Sequence, residues 1–238
     1  MTIYDLLILQ IIAHLLADFT FQKEAWVKDK IDHGFKSKYL LRHTFIVLIF
    51  SLILSFQFKF IVFSLVIALF HYLIDGFKKK LSIQGNFKDY TFFIDQTIHI
   101  LVIVGSVLLF KYYFLITPLF IMPITTHQLL IIAGFVFCTK PANIFIKAVF
   151  DLYKLKLPDD QGNDLLNAGK LIGNLERMLT LTLLLYGEFE AVGFLIVAKS
   201  ILRYEGLKTS KTEYVLIGTF LSFGIAILTY VVINQINL

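Results

Sequence analysis

The sequence contains little charge and almost no cysteine, and each scarcity excludes a class of protein. Its one cysteine, Cys138, lies inside an apolar run, so the chain has no disulfide framework and no Cys-x-x-Cys metal or redox motif. Only 16% of the 238 residues are charged, well below the share in a soluble domain. The net charge of +5 comes from short basic clusters between apolar runs, a pattern typical of membrane topology rather than of nucleic-acid binding.

Several catalytic and targeting signatures are absent as well. The chain has no His-Glu-x-x-His motif, no serine or cysteine nucleophile with a neighbouring base, and no glycine-rich phosphate-binding loop. Residues 1–5 lack the positive region and the cleavage site of a signal peptide, so we expect the first apolar segment to remain as a membrane helix. No linker or low-complexity segment divides the chain, which predicts a single membrane domain over residues 1–238.

Long apolar runs dominate what is present. Hydrophobic residues make up 58% of the chain, with 25 phenylalanines and a mean hydropathy of +0.78, which indicates an integral membrane protein. Since one span needs about 20 apolar residues, the pattern predicts an all-α membrane bundle of about eight transmembrane helices. These are expected at residues 3–22, 39–56, 60–77, 91–114, 126–150, 168–187, 189–204 and 213–235.

Lysines mark every second connection between these helices. They lie in the loops 23–38, 151–167 and 205–212 and in the run Lys78-Lys79-Lys80 that ends the third helix. Because positively charged loops face the cytoplasm, the pattern predicts that both termini lie outside it. We therefore expect a multi-pass membrane protein.

Histidine and aspartate recur four residues apart in the first half of the chain, residues 1–114. This spacing puts two side chains on one face of a helix. The predicted topology also places all the pairs within roughly 12 Å of the cytoplasmic surface. Ionisable groups inside apolar helices are costly and usually functional. The predicted cluster consists of His14, Asp18, His43, His71, Asp75, Asp95 and His99.

This cluster predicts a divalent metal site. Imidazole and carboxylate are the usual ligands of zinc, which is the first choice here, and of manganese or iron. All seven residues are candidate ligands, and Asp18, Asp75 and Asp95 are the candidate catalytic groups. Seven groups exceed the need of one ion, so some would orient the ligands, or a second metal would be present. Two alternatives stay open: the pairs are structural struts, or they form a proton or ion pathway.

The second half, residues 126–238, carries glutamate, arginine and lysine instead. Lys199 and Arg203 lie four residues apart, and two like charges on one helix face require an anion or carboxylates opposite them. Glu176 and Glu213 are the candidate carboxylates. The sequence predicts a binding set for an anionic substrate, which consists of Glu176, Arg177, Lys199 and Arg203.

Several motifs together resemble a known family. The first half contains His14-x-x-x-Asp18, His71-x-x-x-Asp75-x-x-Lys78 and Asp95-Gln96-x-x-His99. The second half contains Gly173-x-x-Glu176-Arg177 and Lys199-Ser200-x-x-Arg203. This set resembles an uncharacterised family of bacterial multi-pass membrane proteins, the domain of unknown function 3307, for which no activity is implied. More distantly, the first four helices resemble the membrane-bound metal-dependent hydrolases, which carry histidines and an aspartate on early helices.

Two functions are compatible with these features. The first hypothesis is a metal-dependent hydrolase that acts at the cytoplasmic leaflet on a lipid or a lipid-linked anionic substrate, through its phosphoryl or acyl group. The alternative is a proton- or ion-coupled transporter or permease of an anionic solute, in which the same groups bind and release protons or a coupling ion. Both predict membrane lipid and an anionic small molecule as partners, and no nucleic acid.

Overall fold

Helices account for all the regular structure in the computed structural model, which describes residues 1–83, 89–120, 123–155, 163–204 and 210–236. The all-α prediction is therefore confirmed for these residues. The α-helices are α1 (Ile3–Leu15), α2 (Glu24–His33), α3 (Leu40–Ser55), α4 (Ile61–Ile83), α5 (Thr91–Tyr113), α6 (Thr126–Phe137), α7 (Lys140–Leu152), α8 (Asn163–Leu185), α9 (Phe189–Tyr204) and α10 (Ser210–Gln235). A π-helical turn, Leu16–Thr20, continues α1.

Two segments differ from the predicted helices. The predicted loop 23–38 contains helix α2, on which the buried residues Trp26 and Lys30 lie one turn apart and so share the inner face. The predicted helix 126–150 is divided into α6 and α7, which are bent by 52°. Pro141 lies in the first turn of α7, where its missing N–H needs no partner, so the break falls just before it.

Several helices are long and apolar enough to cross a membrane, which fits a membrane protein. Among the described residues four segments meet this test, namely Ile3–Thr20, Phe58–Lys79, Thr91–Tyr113 and Tyr214–Gln235. The number rises to six if each of two bent helix pairs forms one span. One pair is α6 with α7, and the other is Glu24–Lys36 with Leu40–Ser55, bent by 109°. Helix length and composition thus support four to six spans, and the count of eight remains a prediction.

The chain forms two compact units, Met1–Ala133 and Gly134–Leu238. In unit 1, helices α1, α3, α4 and α5 pack against one another, and α2 packs on α4. The apolar core lies where α1 and α4 begin and α5 ends; its members are Leu6, Ala17, Val47, Phe60, Ile67, Ile103, Val107 and Phe110. The histidine and aspartate side chains of the predicted cluster are buried towards the other end, where α1 ends and α3 and α5 begin. The candidate site lies there.

Unit 2 is built around α10, which packs on α7, α8 and α9. Its buried apolar residues include Leu181, Phe223 and Ile233. Gly134 has no side chain because α10 approaches closely: a Cβ there would lie 2.8 Å from the Ile233 Cδ1 atom. A larger residue would require the Ile233 and Thr229 side chains to shift.

Candidate metal centre

The structure brings all seven predicted site residues together inside unit 1, on helices α1, α3, α4 and α5 and on the π-helical turn. Six of them are buried, and the Asp18 side chain is only 10% exposed. The candidate ligand atoms form three overlapping groups, and within each group they lie within 4.8 Å of one another. The groups are His14, Asp18 and His71; His43, His71 and Asp75; and Asp75, Asp95 and His99.

Asp18 lies on the π-helical turn that follows α1. Such turns are rare in proteins and occur frequently at functional sites. His14, in the last turn of α1, holds its Nδ1 atom 3.7 Å from Asp18 Oδ1. The end of α1 and the turn that follows it therefore place an imidazole and a carboxylate side by side, as their spacing of four residues predicts.

Three imidazoles surround the Asp18 Oδ1 atom. Besides His14 Nδ1, the Nε2 atoms of His43 and His71 lie 3.3 Å and 3.4 Å from it. These two Nε2 atoms are 2.9 Å apart, so at least one must carry a proton if no metal lies between them. Ligands of a tetrahedral zinc ion, at about 2.0–2.2 Å from the metal, lie roughly 3.3–3.6 Å from one another. The separations from Asp18 Oδ1 to His43 and His71 fall within this range, the separation to His14 is slightly longer, and the 2.9 Å between the two Nε2 atoms is shorter.

The hydrogen bonds of the site also suit a metal. Asp18 Oδ1 is buried and accepts no hydrogen bond from the described residues, although three ring nitrogens lie close to it. His14 Nε2 donates to Gln96 Oε1 at 3.1 Å, so the neutral ring keeps its Nδ1 lone pair towards Asp18. An outer partner that fixes the tautomer in this way is typical of metal-ligating histidines. The residues present therefore fit a divalent ion at Asp18.

Two lysines balance the other two aspartates. Lys30 Nζ, on α2, donates to Asp75 Oδ2. Lys78 Nζ donates to Asp95 Oδ2 at 2.8 Å and lies 3.7 Å from Asp75 Oδ1. In the part of the chain that the structure describes, Asp18 is paired only with imidazoles. The negative charge available to a bound cation is therefore concentrated at Asp18.

Lys30 corrects one interpretation of the sequence. Its position between apolar segments suggested a cytoplasmic loop and a topology signal, but the side chain is 1% exposed and forms an ion pair with Asp75. Gln96, which accepts a hydrogen bond from His14, is a second residue that spacing alone does not reveal. For Lys30 the sequence did contain a signal, the charge balance, since three carboxylates buried in apolar helices require nearby cations.

The structure describes the side chains of three members of the predicted substrate-binding set, Glu176, Arg177 and Lys199. Arg177 is 1% exposed, and its guanidinium is held by side-chain and backbone oxygens. These acceptors are Cys138 O, Thr139 O, Asn143 Oδ1, Asn174 Oδ1 and Ser222 Oγ. Lys199 forms an ion pair with Glu176, the carboxylate expected opposite it. The side chains of Arg203 and Glu213 lie outside the described residues.

The fold and the site together define a helical protein with several helices of membrane-spanning length and a buried histidine and aspartate cluster. Residues 6–130 match the model of the family described as Protein of unknown function (DUF3307), and the match covers more than half of the chain. The chain therefore belongs to this family. The matched range contains the whole cluster, together with Lys30 and Gln96, and ends near the boundary of unit 1. No curated protein and no solved structure matches the chain.

Proposed function

We propose that this chain is a metal-dependent hydrolase of the bacterial inner membrane that acts on a lipid or lipid-linked anionic substrate. The observation that carries the proposal is the convergence of three imidazole nitrogens on Asp18 Oδ1, a buried oxygen that accepts no hydrogen bond within the described ranges. A set of three nitrogens and one oxygen suits zinc best, with manganese or iron as alternatives.

Each side chain then has a definite task. A bound divalent ion would lower the pKa of a water molecule and polarise a phosphoryl or acyl oxygen. His14, His43, His71 and Asp18 would hold the ion, and the hydrogen bond to Gln96 would keep the His14 ring in its ligating tautomer. The remaining carboxylates, Asp75 and Asp95, position the lysines and the amide around the ligands.

A small crevice between α4 and α5 borders this site. Its lining consists of Ile67, His71, Ile74, His99, Val102 and Ile103. Two imidazoles thus lie at a crevice with otherwise aliphatic walls, and its size allows roughly one water molecule. A space of this size beside two imidazoles suits a water molecule or a single oxygen of the substrate.

The first prediction concerns metal content. Protein purified with zinc supplied should contain stoichiometric metal, and His43→Ala should lower the content by at least one equivalent because one ligand is lost. Mass spectrometry of the metal measures this. His127→Ala is the matched control, since His127 is exposed on α6. Wild-type protein that is free of metal at neutral pH despite the supply would overturn the proposal.

The second prediction concerns topology. We propose eight spans with both termini outside the cytoplasm, supported by the lysines at every second connection. A reporter that is active only in the cytoplasm should stay silent when it is fused after Leu238 and become active when it is inserted in the connection 151–167. The reverse pattern would reject this orientation.

One observation favours a transporter as the second candidate. Hydrogen bonds and ion pairs link Lys30, Asp75, Lys78, Asp95 and Gln96 in an unbroken series that ends at His14. Aspartate and histidine side chains relay protons in pumps and transporters, and Asp75, Asp95 and His14 belong to this series. Proton flux into proteoliposomes that contain metal-free protein, abolished by His71→Ala, would favour this candidate over the hydrolase.

A further inference from the structure

His99 is the one candidate ligand of the cluster whose two ring nitrogens are both buried without a hydrogen-bond partner among the described residues. Its side chain is only 2% exposed. The neighbouring rings do not satisfy these nitrogens: His71 stacks on His99 with ring centroids 4.0 Å apart, and His14 meets it edge to face at 5.4 Å. A buried polar atom without a partner is costly, so such an atom usually has a water, ion or ligand beside it.

The position of His99 shows where such a partner can lie. His99 and His71 line the same crevice between α4 and α5, which has room for about one water molecule. His71 belongs to the proposed metal centre, where its Nε2 atom lies 3.4 Å from Asp18 Oδ1. A small ligand in the crevice would therefore lie beside the His99 ring and beside His71 of the proposed metal centre.

The charge of the cluster indicates which kind of ligand this is. Asp18, Asp75 and Asp95 contribute three negative charges, and Lys30 and Lys78 contribute two positive charges. With neutral imidazoles, one divalent ion would leave a single net positive charge in a buried site. Since an uncompensated buried charge is costly, the occupied site favours one anionic ligand.

We propose that the crevice between α4 and α5 is an anion-binding position of the metal centre, and that His99 donates a hydrogen bond to the anion held there. The inference rests on the proposed metal centre and adds a residue that touches the reacting ligand. The natural ligand is a hydroxide or an anionic oxygen of the substrate. A neutral histidine has one N–H donor, which suffices for this contact.

The test uses full-length protein loaded with cobalt(II), whose absorption spectrum reports changes in its ligands, and fluoride as an anionic probe about the size of a water molecule. Fluoride should perturb the cobalt spectrum of the wild type. His99→Ala should keep the same cobalt stoichiometry but bind fluoride about tenfold more weakly, the effect of one lost hydrogen bond to an anion. His99→Gln keeps a donor and should recover most of the affinity. His127→Ala serves as the control.

The possible outcomes separate this inference from the proposed function. Wild-type protein that binds no cobalt would reject the metal centre itself. Cobalt binding with the same fluoride affinity in the wild type and in His99→Ala would reject only the role of His99. Loss of a cobalt equivalent in His99→Ala would also overturn the proposed anion contact of His99, because His99 would then be a metal ligand in the group with Asp75 and Asp95. Unchanged thermal unfolding midpoints would show that the variants are folded.

Discussion

Replacement of Asp75 by Ala is expected to destabilise unit 1 by about 3–5 kcal/mol, the usual effect of removing one partner of a buried ion pair. Asp75 is 1% exposed and accepts a hydrogen bond from Lys30, which is equally buried. Without the carboxylate, Lys30 would be left as an uncompensated charge in an apolar interior. The fall in the thermal unfolding midpoint of the purified protein in detergent measures the effect.

A double variant identifies the cause of this loss. Lys30→Met combined with Asp75→Leu removes both charges and replaces them with apolar groups, which often restores stability. We expect this variant to unfold at a higher temperature than Asp75→Ala alone. Asp32→Ala is the control, because Asp32 is exposed on the same helix as Lys30. An Asp75→Ala midpoint equal to that of the wild type would show that the ion pair is not buried.

The cluster could be predicted from sequence because its signal is local. His14 and Asp18, or His71 and Asp75, each lie four residues apart inside an apolar run, and the helical period alone places both members on one face. The cost of ionisable groups in an apolar helix then favours a shared location. The helices themselves follow from hydropathy in the same way.

The partners of the cluster could not be predicted because they depend on tertiary packing. Lys30 lies in a short segment whose composition resembles a basic loop, and only the packing of α2 on α4 brings it to Asp75. Gln96 resembles any polar residue at a helix start until the position of His14 is known. Charge balance predicts that such partners exist, but it does not identify them.

The same limit applies to Arg177 in unit 2. A basic residue near a helix start suggests contact with an anion, and no local pattern shows that the break between α6 and α7 lies beside it. The break leaves the carbonyls of Cys138 and Thr139 near the guanidinium, and both accept hydrogen bonds from it. These carbonyls lie at the carboxyl end of α6, where the helix dipole favours a positive charge.

Replacement of Arg177 by Ala is therefore expected to destabilise unit 2 rather than only to weaken the binding of an anion. The change would leave the Cys138 carbonyl and the side-chain oxygens of Asn143 and Ser222 buried without their donor. Each unpaired buried group costs about 1–3 kcal/mol, so a total of roughly 3–5 kcal/mol is expected where the site relaxes in part. The thermal unfolding midpoint and the rate of protease cleavage near the helix break measure this.

Arg177→Lys is the informative companion variant. A lysine keeps the positive charge but lacks the planar arrangement of five donors, so it should recover only a minor part of the stability. Lys147→Ala, at an exposed site on α7, controls for the loss of a charge. Since a guanidinium cannot ligate a cation, folded Arg177→Ala protein should retain the metal content of the wild type. If Arg177→Ala instead unfolds at the wild-type temperature and loses only anion affinity, then the guanidinium is free for a ligand, and its hydrogen bonds do not hold the broken helix.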